Sequence, residues 1–451
     1  MIQVPAKYKK YKKYQEDFEA LERADGSGWV HGLRREAFAR FAELGFPVAR
    51  RGNEKWKYTN VGPIANVAFA YPFAPQFDEV AVAELRRRVP WDDGWTNLVF
   101  IDGRYAAEAS TPPAKARGLR ALRLAEAIHA DDEVARKHLA RHATFEDDAF
   151  TALNTAFLSD GAFVHVPDGE VIDAPVHLLF LSTGQSAPGV SHPRTLVVAG
   201  RGSKVMLIET YVGLTEERYF TNAVTEISLE DGAEVSHTKL LREGSEAFHV
   251  GVTRVTQSEN STFTSASFAK GAALARSDLY VLLDGPGSSC LLNGLYMTSG
   301  TQHKDNFINI EHAKPHTTSR LYYKGILDGK SRAVFGGTVL VQKIAQKSDA
   351  QQTDKNLILS DEAEVDSKPA LLIYADDVKC GHGATAGSID EDTLFYMRSR
   401  GLDPEAASGL LIQGFAKEVL ETVRIEGLRA YLDDLFLGAL PRFRFQFGER
   451  P

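Results

Sequence analysis

Cysteine is nearly absent. The 451 residues contain two, Cys290 and Cys380, and no CxxC pair. Nothing suggests a disulfide framework, and a reducing compartment is expected. The scarcity also limits cofactor chemistry. A ferredoxin-type cluster usually takes four thiolates from one chain, and a structural zinc site takes four Cys/His ligands, typically in CxxC-like pairs. Any such group held here needs histidine or carboxylate ligands, or ligands from a second chain. No apolar run approaches the roughly 20 residues of a membrane span. The start, MIQVPAKYKKYKKYQEDFEA, lacks the apolar stretch of a secretion signal, so a cytoplasmic protein is expected. Positive charge is not in excess either: 52 Lys+Arg stand against 60 Asp+Glu, net -8. That argues against general nucleic-acid binding, which rests on phosphate neutralisation. P-loop, dinucleotide fingerprint, nucleophile elbow and HExxH are all missing, so this chain is not expected to hydrolyse nucleotides itself.

What is present is ordinary globular composition, 43% hydrophobic and 25% charged, enough for a sizeable core. Residues 1–150 read as mainly helical. Tyr8, Tyr11, Tyr14 and Phe18 lie on one helix face. A second helix closes at Gly45 and Pro47. An aromatic loop, EKWKYTN, carries Trp56 and Tyr58, and TNLVFIDGRY reads as a hairpin around Asp102-Gly103.

From about Gly161 the helical period gives way to short β-branched runs bounded by Gly, Asp, Asn, Ser or Pro. A loose repeat runs through them. GSKV begins at Gly202, GAEV at Gly232, NSTF at Asn260 and GSSC at Gly287, spaced 30, 28 and 27, with a later EAEV at Glu362. A unit of that size without helices predicts β-solenoid rungs over 151–387, with a sandwich as second choice. In this register Cys290 takes the slot of Val205, Val235, Phe263 and Val365, which predicts core packing.

Residues 388–451 return to helix. Ser388 to Glu391, SIDE, reads as a capping box. Asp403 reads as an N-cap with Pro404 at the first helical position. Leu410, Leu411, Phe415, Val419, Leu420 and Val423 form an apolar face. The expectation is a small lobe that caps the open end of the solenoid and also offers a face to a partner.

Two places hold candidate chemistry. His303, His312 and His316 cluster in one stretch, where Asp305, Phe307, Asn309 and Glu311 would share one strand face. The preferred reading is a solvated outer face. In DDVKCGHGATAG, Cys380 and His382 are separated by one glycine. On an extended strand they would face the same way. Thiolate and imidazole both suit iron or zinc, but two ligands do not close a site. A tight turn that happens to contain both residues stands beside the ligand reading.

Two long blocks, NIEHAKPHTTSRLYYKGILDGKSRAVFGG and QKSDAQQTDKNLILSDEAEVDSKPALLIYADDVKCGHGATAGSID, closely resemble the core of the SufB/SufD family of iron–sulfur cluster assembly proteins. The likeness runs from roughly His303 through the C-terminal helices. It extends more weakly to EKWKYTN and FTALNTAFLSDGAFVHVPDG, and the EKWKYT element is similar to the SufD branch. The resemblance implies a right-handed parallel β-helix between helical flanks and a non-catalytic scaffold subunit. It implies pairing with a SufB-like chain and docking of a SufC-like ABC ATPase on about Ser388 to Leu440. A nascent cluster would form at or near the interface, with His382 and Cys380 matching the histidine and cysteine of the family motif. The acidic and thiol ligands of the SufB-like chain would be supplied from outside. A homodimer of the isolated chain, flavin in the assembled complex, and the role of Cys380 as ligand, sulfur relay or spectator stay open. Two rival readings are a framework subunit with no ligand of its own and a carbohydrate-active β-helix enzyme. The second expects a secretion signal and paired carboxylates.

Overall fold

The computed structural model describes residues 11–25, 28–73, 86–111, 118–184 and 188–438. Tyr8, residues 439–440 of the expected ATPase-docking stretch and the last residues of the lobe lie outside the described residues. The strands are β1 (Thr96–Ile101), β2 (Arg104–Tyr105), β3 (Arg120–Arg123), β4 (Gly161–Val166), β5 (Val176–Ser182), β6 (Gly189–Ser191) and β7 (Arg194–Ala199). They continue as β8 (Lys204–Gly213), β9 (Tyr219–Leu229), β10 (Glu234–Glu243), β11 (Phe248–Gln257), β12 (Thr262–Gly271), β13 (Leu274–Leu283) and β14 (Ser289–Thr298). The last six are β15 (His303–His312), β16 (Thr318–Leu327), β17 (Arg332–Val341), β18 (Asp349–Ile358), β19 (Glu364–Ile373) and β20 (Lys379–Gly387).

Successive strands from β8 onward alternate between two sheets, and from β9 each strand pairs in parallel with the second one before it. This is a β-solenoid. The Asp102-Gly103 hairpin is present, with φ of 46° and 81°, and β1 then pairs in parallel with β5 to start one sheet.

The solenoid repeats because its turns do. Gly202, Gly232, Asn260 and Gly287 all have positive φ, the left-handed region that glycine and asparagine adopt at low cost. His316 and Lys347 hold the same place in the next two turns, with φ of 60° and 65°. In each of these six turns the backbone N–H donates to a carbonyl one turn on, for example His316 to Gln346 and Lys347 to Asp377. This is what His316 does: it is a turn residue. Inside, Val205, Val235, Phe263, Cys290, Ser319, Ala350 and Cys380 form one in-register column. Cys290 is therefore core, as expected, and burial pushes its thiol up to about 12. Val365 is not in that column. It lies on β19 in the other sheet, beside Ala333.

Helices cover the outer faces. Nine α-helices occur among the described residues: α1 (Lys12–Ala24), α2 (Val30–Leu44), α3 (Gly62–Ala65), α4 (Leu124–His129), α5 (Glu133–His138), α6 (Ala149–Ala156), α7 (Glu391–Ser399), α8 (Pro404–Leu420) and α9 (Glu426–Leu437). Tyr11, Tyr14 and Phe18 pack with Phe38, Phe41 and Phe157 and join Phe220, Phe248 and Leu274 of the odd-numbered sheet in one cluster. Tyr11, Tyr14 and Phe18 are thus core.

Two expectations for the C-terminal lobe change. The cap of α7 is Asp390, which accepts from the Thr393 N–H, not Ser388; Asp403 does cap α8. The lobe also does not close the end of the solenoid. Ile412, Ala416, Val419 and Leu420 pack sideways onto Leu295, Met297 and Ile326 of the even-numbered sheet, because its outer face offers an apolar stripe. Among the described residues the end of the solenoid stays open. None of the described helices is long and apolar enough to cross a membrane.

Candidate functional site at the open end of the solenoid

DVKCGHG is not a tight turn. It leads into β20, and Gly381 and Gly383 are absent from the positive-φ positions. Among the described residues β20 is the last strand of the even-numbered sheet and pairs only with β18; β19 likewise ends the other sheet. Both terminal strands therefore present unpaired backbone edges. Leu372, Ile373 and Tyr374 are exposed where β19 ends.

Strand parity sends Cys380 and His382 to the same face, the inward one. Cys380 follows Ala350 in its column. His382 follows Leu207, His237, Ser265, Leu292, Leu321 and Gln352. In earlier rungs those positions are buried. At the last rung none of the described residues covers them, so His382 is exposed and Cys380 is half-buried against the core. Burial raises the Cys380 thiol above its ordinary value. As the chain stands, its thiolate form is disfavoured.

The layer directly beneath is polar. Gln352 and Asp354 are buried, at 2% and 0% exposure. Asp354 Oδ2 accepts from Asn356 Nδ2 at 2.8 Å and Ser367 Oγ at 2.7 Å, while Oδ1 has no partner. Desolvation lifts this carboxyl from 3.8 to about 6. The sequence reading missed both residues. The signal was parity: in DAQQTDKN, Ala350, Gln352, Asp354 and Asn356 all face inward, so a charge falls at a core position.

The site is incomplete by itself. Among the described residues no group of three or more His, Cys, Asp or Glu is placed to hold a metal ion. Cys290 is three rungs from Cys380, about 14 Å at the usual strand spacing. The histidine-rich stretch serves structure. His312 is buried and bonded to Thr317 and Ser319, and burial drops it to about 4. His303 meets Thr59 at 3.0 Å. That outer face is not solvated throughout, because the EKWKYTN loop covers part of it. Thr59 donates to Asp305, Trp56 stacks on Arg276, and Lys55 pairs with Asp148 at 2.5 Å and Asp278 at 3.0 Å.

Two family models match almost the whole chain. Residues 6–178 match the SufBD protein N-terminal region, and residues 180–415 match the SufBD core domain of the SUF system for FeS cluster assembly. The chain belongs to the SufBD family. Its similarity to the iron–sulfur cluster assembly protein SufD of Escherichia coli is 33% identity over 384 residues, 84% of this chain and 86% of that protein. A SufBD family iron–sulfur cluster assembly protein of Synechocystis is 32% identical over 389 residues, covering 84% and 85%. The SufB protein of Bacillus subtilis is 24% identical over 358 residues, covering 78% and 74%. This SufBD protein is a scaffold subunit of iron–sulfur cluster assembly, and its solenoid is the family core.

Proposed function

We propose that this chain builds clusters jointly with a SufB-like partner, across the open end of its solenoid. One observation carries the reading: Cys380 and His382 sit on the inward face of a terminal strand whose outer edge is unpaired. Pairing of β19 and β20 with strands of a partner would satisfy the free backbone groups and bury Tyr374. It would also bring partner ligands up to His382. Iron and sulfide are the substrates assembled there. A neutral imidazole suits iron, while the Cys380 thiol must lose a proton first. The exposed aromatics Phe395 and Tyr396 on α7, 71% and 57% exposed, are the face for a SufC-like ATPase. Nucleotide hydrolysis would belong to that subunit, and this chain would act without catalysis of its own.

The test is iron and acid-labile sulfide per complex. The chain is purified anaerobically with SufB-like and SufC-like partners, as wild type and as His382→Ala. The expected result is an intact complex in both, with iron and sulfide lost in the variant. Equal loading would make β20 a framework element and put the chemistry in the partner.

A further inference from the structure

The polar layer beneath the last rung has more acceptors than donors. Gln352 Nε2 donates to the Gly337 carbonyl at 3.3 Å, and Gln352 Oε1 is buried without a partner. The amide is held there by close approach: a Cβ on Gly337 would fall 2.2 Å from Nε2. Next along the strand, Asp354 Oδ1 is the second unfilled acceptor. Buried acceptors are costly to leave without a partner, so a donor is missing from this layer. The register names the candidate. On the strand above, His382 stands beside Gln352, and Ala384 stands beside Asp354. Ala384 is small and has no polar side-chain atom, which leaves the imidazole as the side-chain donor of nitrogen type on that face.

We propose that Gln352, backed by Asp354, is the positioning residue of His382. Its side-chain oxygen takes the N–H of one ring nitrogen and turns the other outward, as an open donor atom for iron. The proposal rests on His382 being a ligand. Metal-binding histidines almost always anchor their second nitrogen in this way, and losing the anchor typically weakens metal binding 10- to 100-fold. The titratable groups on the same inward face are few. Within two rungs of His382 they are Cys380 on β20, Asp354 on β18 and Tyr323 on β16, with Tyr296 and His237 on the same face further back; the inward residues of β19 include Val365 and Ser367, which do not titrate here. Lys379, Asp349 and Lys355 have the opposite parity and face outward.

The experiment uses the full metal-free chain, labelled with 15N-histidine. The resonances of His382 are assigned by their loss in His382→Ala. Wild type should show one dominant ring tautomer for His382. Gln352→Met should give the mixed tautomers of a free imidazole, and Gln352→Glu should restore the preference. In the complex with its partners, iron affinity should fall 10- to 100-fold for Gln352→Met and recover with Gln352→Glu. Unchanged tautomer populations in Gln352→Met would overturn the proposal. Should that variant fail to fold, Gln352→Glu decides: a carboxylate there must strengthen the same tautomer, and an unaltered spectrum refutes it. If His382→Ala loads iron normally, the ligand reading fails, whereas the tautomer result still stands or falls alone.

Discussion

Asp354→Asn should stabilise the free chain at neutral and alkaline pH. The carboxyl is buried, no cation lies within ion-pair distance among the described residues, and it titrates near 6 rather than 3.8. The folded chain thus binds its proton more tightly than the unfolded chain does. This contribution is fully present below 3.8 and is lost as the pH rises through about 6. At roughly 1.4 kcal/mol per pH unit, ionised Asp354 costs the folded state about 3 kcal/mol at pH 8. At pH 5 the cost is about half that, because the folded form is still mostly protonated. Asparagine keeps an oxygen for the Asn356 and Ser367 donors and removes the charge. Thermal unfolding of both proteins at pH 5 and pH 8 is the assay. The variant should melt a few degrees higher at pH 8, with a smaller gain at pH 5. A lower midpoint at pH 8, or the same gain at both, would refute the reasoning. If the gain is found, the native aspartate is kept at a cost to stability. That is the pattern of a residue retained for the work of the end site.

Other outcomes can be checked independently. Lys55→Met leaves Asp148 and Asp278 without their shared cation. It should cost about 3–5 kcal/mol and open the EKWKYTN loop to limited proteolysis. Iodoacetamide should label Cys380 but not Cys290 in the native chain, read by mass spectrometry. Because burial raises the Cys380 thiol, its rate should still be climbing at pH 9, where an ordinary thiol is levelling off. Phe395→Asp with Tyr396→Asp should leave the melting temperature unchanged, since both rings are exposed, yet abolish co-purification of the ATPase.

Much of the solenoid was legible because its turns are local. Glycine or asparagine at positions 202, 232, 260 and 287 marks a backbone that needs positive φ. The repeat then fades from view because His316 and Lys347 hold the same conformation without the usual residue. Similar wording misled at Glu362, where EAEV begins a strand of the other sheet. The lobe was misplaced for a related reason. Its apolar face was visible in the sequence, but nothing local says whether that face meets the end of a solenoid or its flank. Asp390 took the cap from Ser388 because the helix starts at Glu391, a boundary that shifts by a residue or two without changing the pattern.

By itself the sequence determined the chemistry available. Two thiols and no CxxC leave an all-cysteine cluster site out of reach, none of the common nucleotide motifs is written in the chain, and the DVKCGHG block points to the family. Tertiary structure decided which of those groups are usable. Cys290 and Cys380 share one column and the same inward parity, yet one is sealed in the core and the other stands at the rim. His237 and His382 share another, with the same contrast. Side-chain direction is set by the local alternation of a strand. Burial depends on whether another rung follows, and that is known only once the whole chain has wound up and stopped.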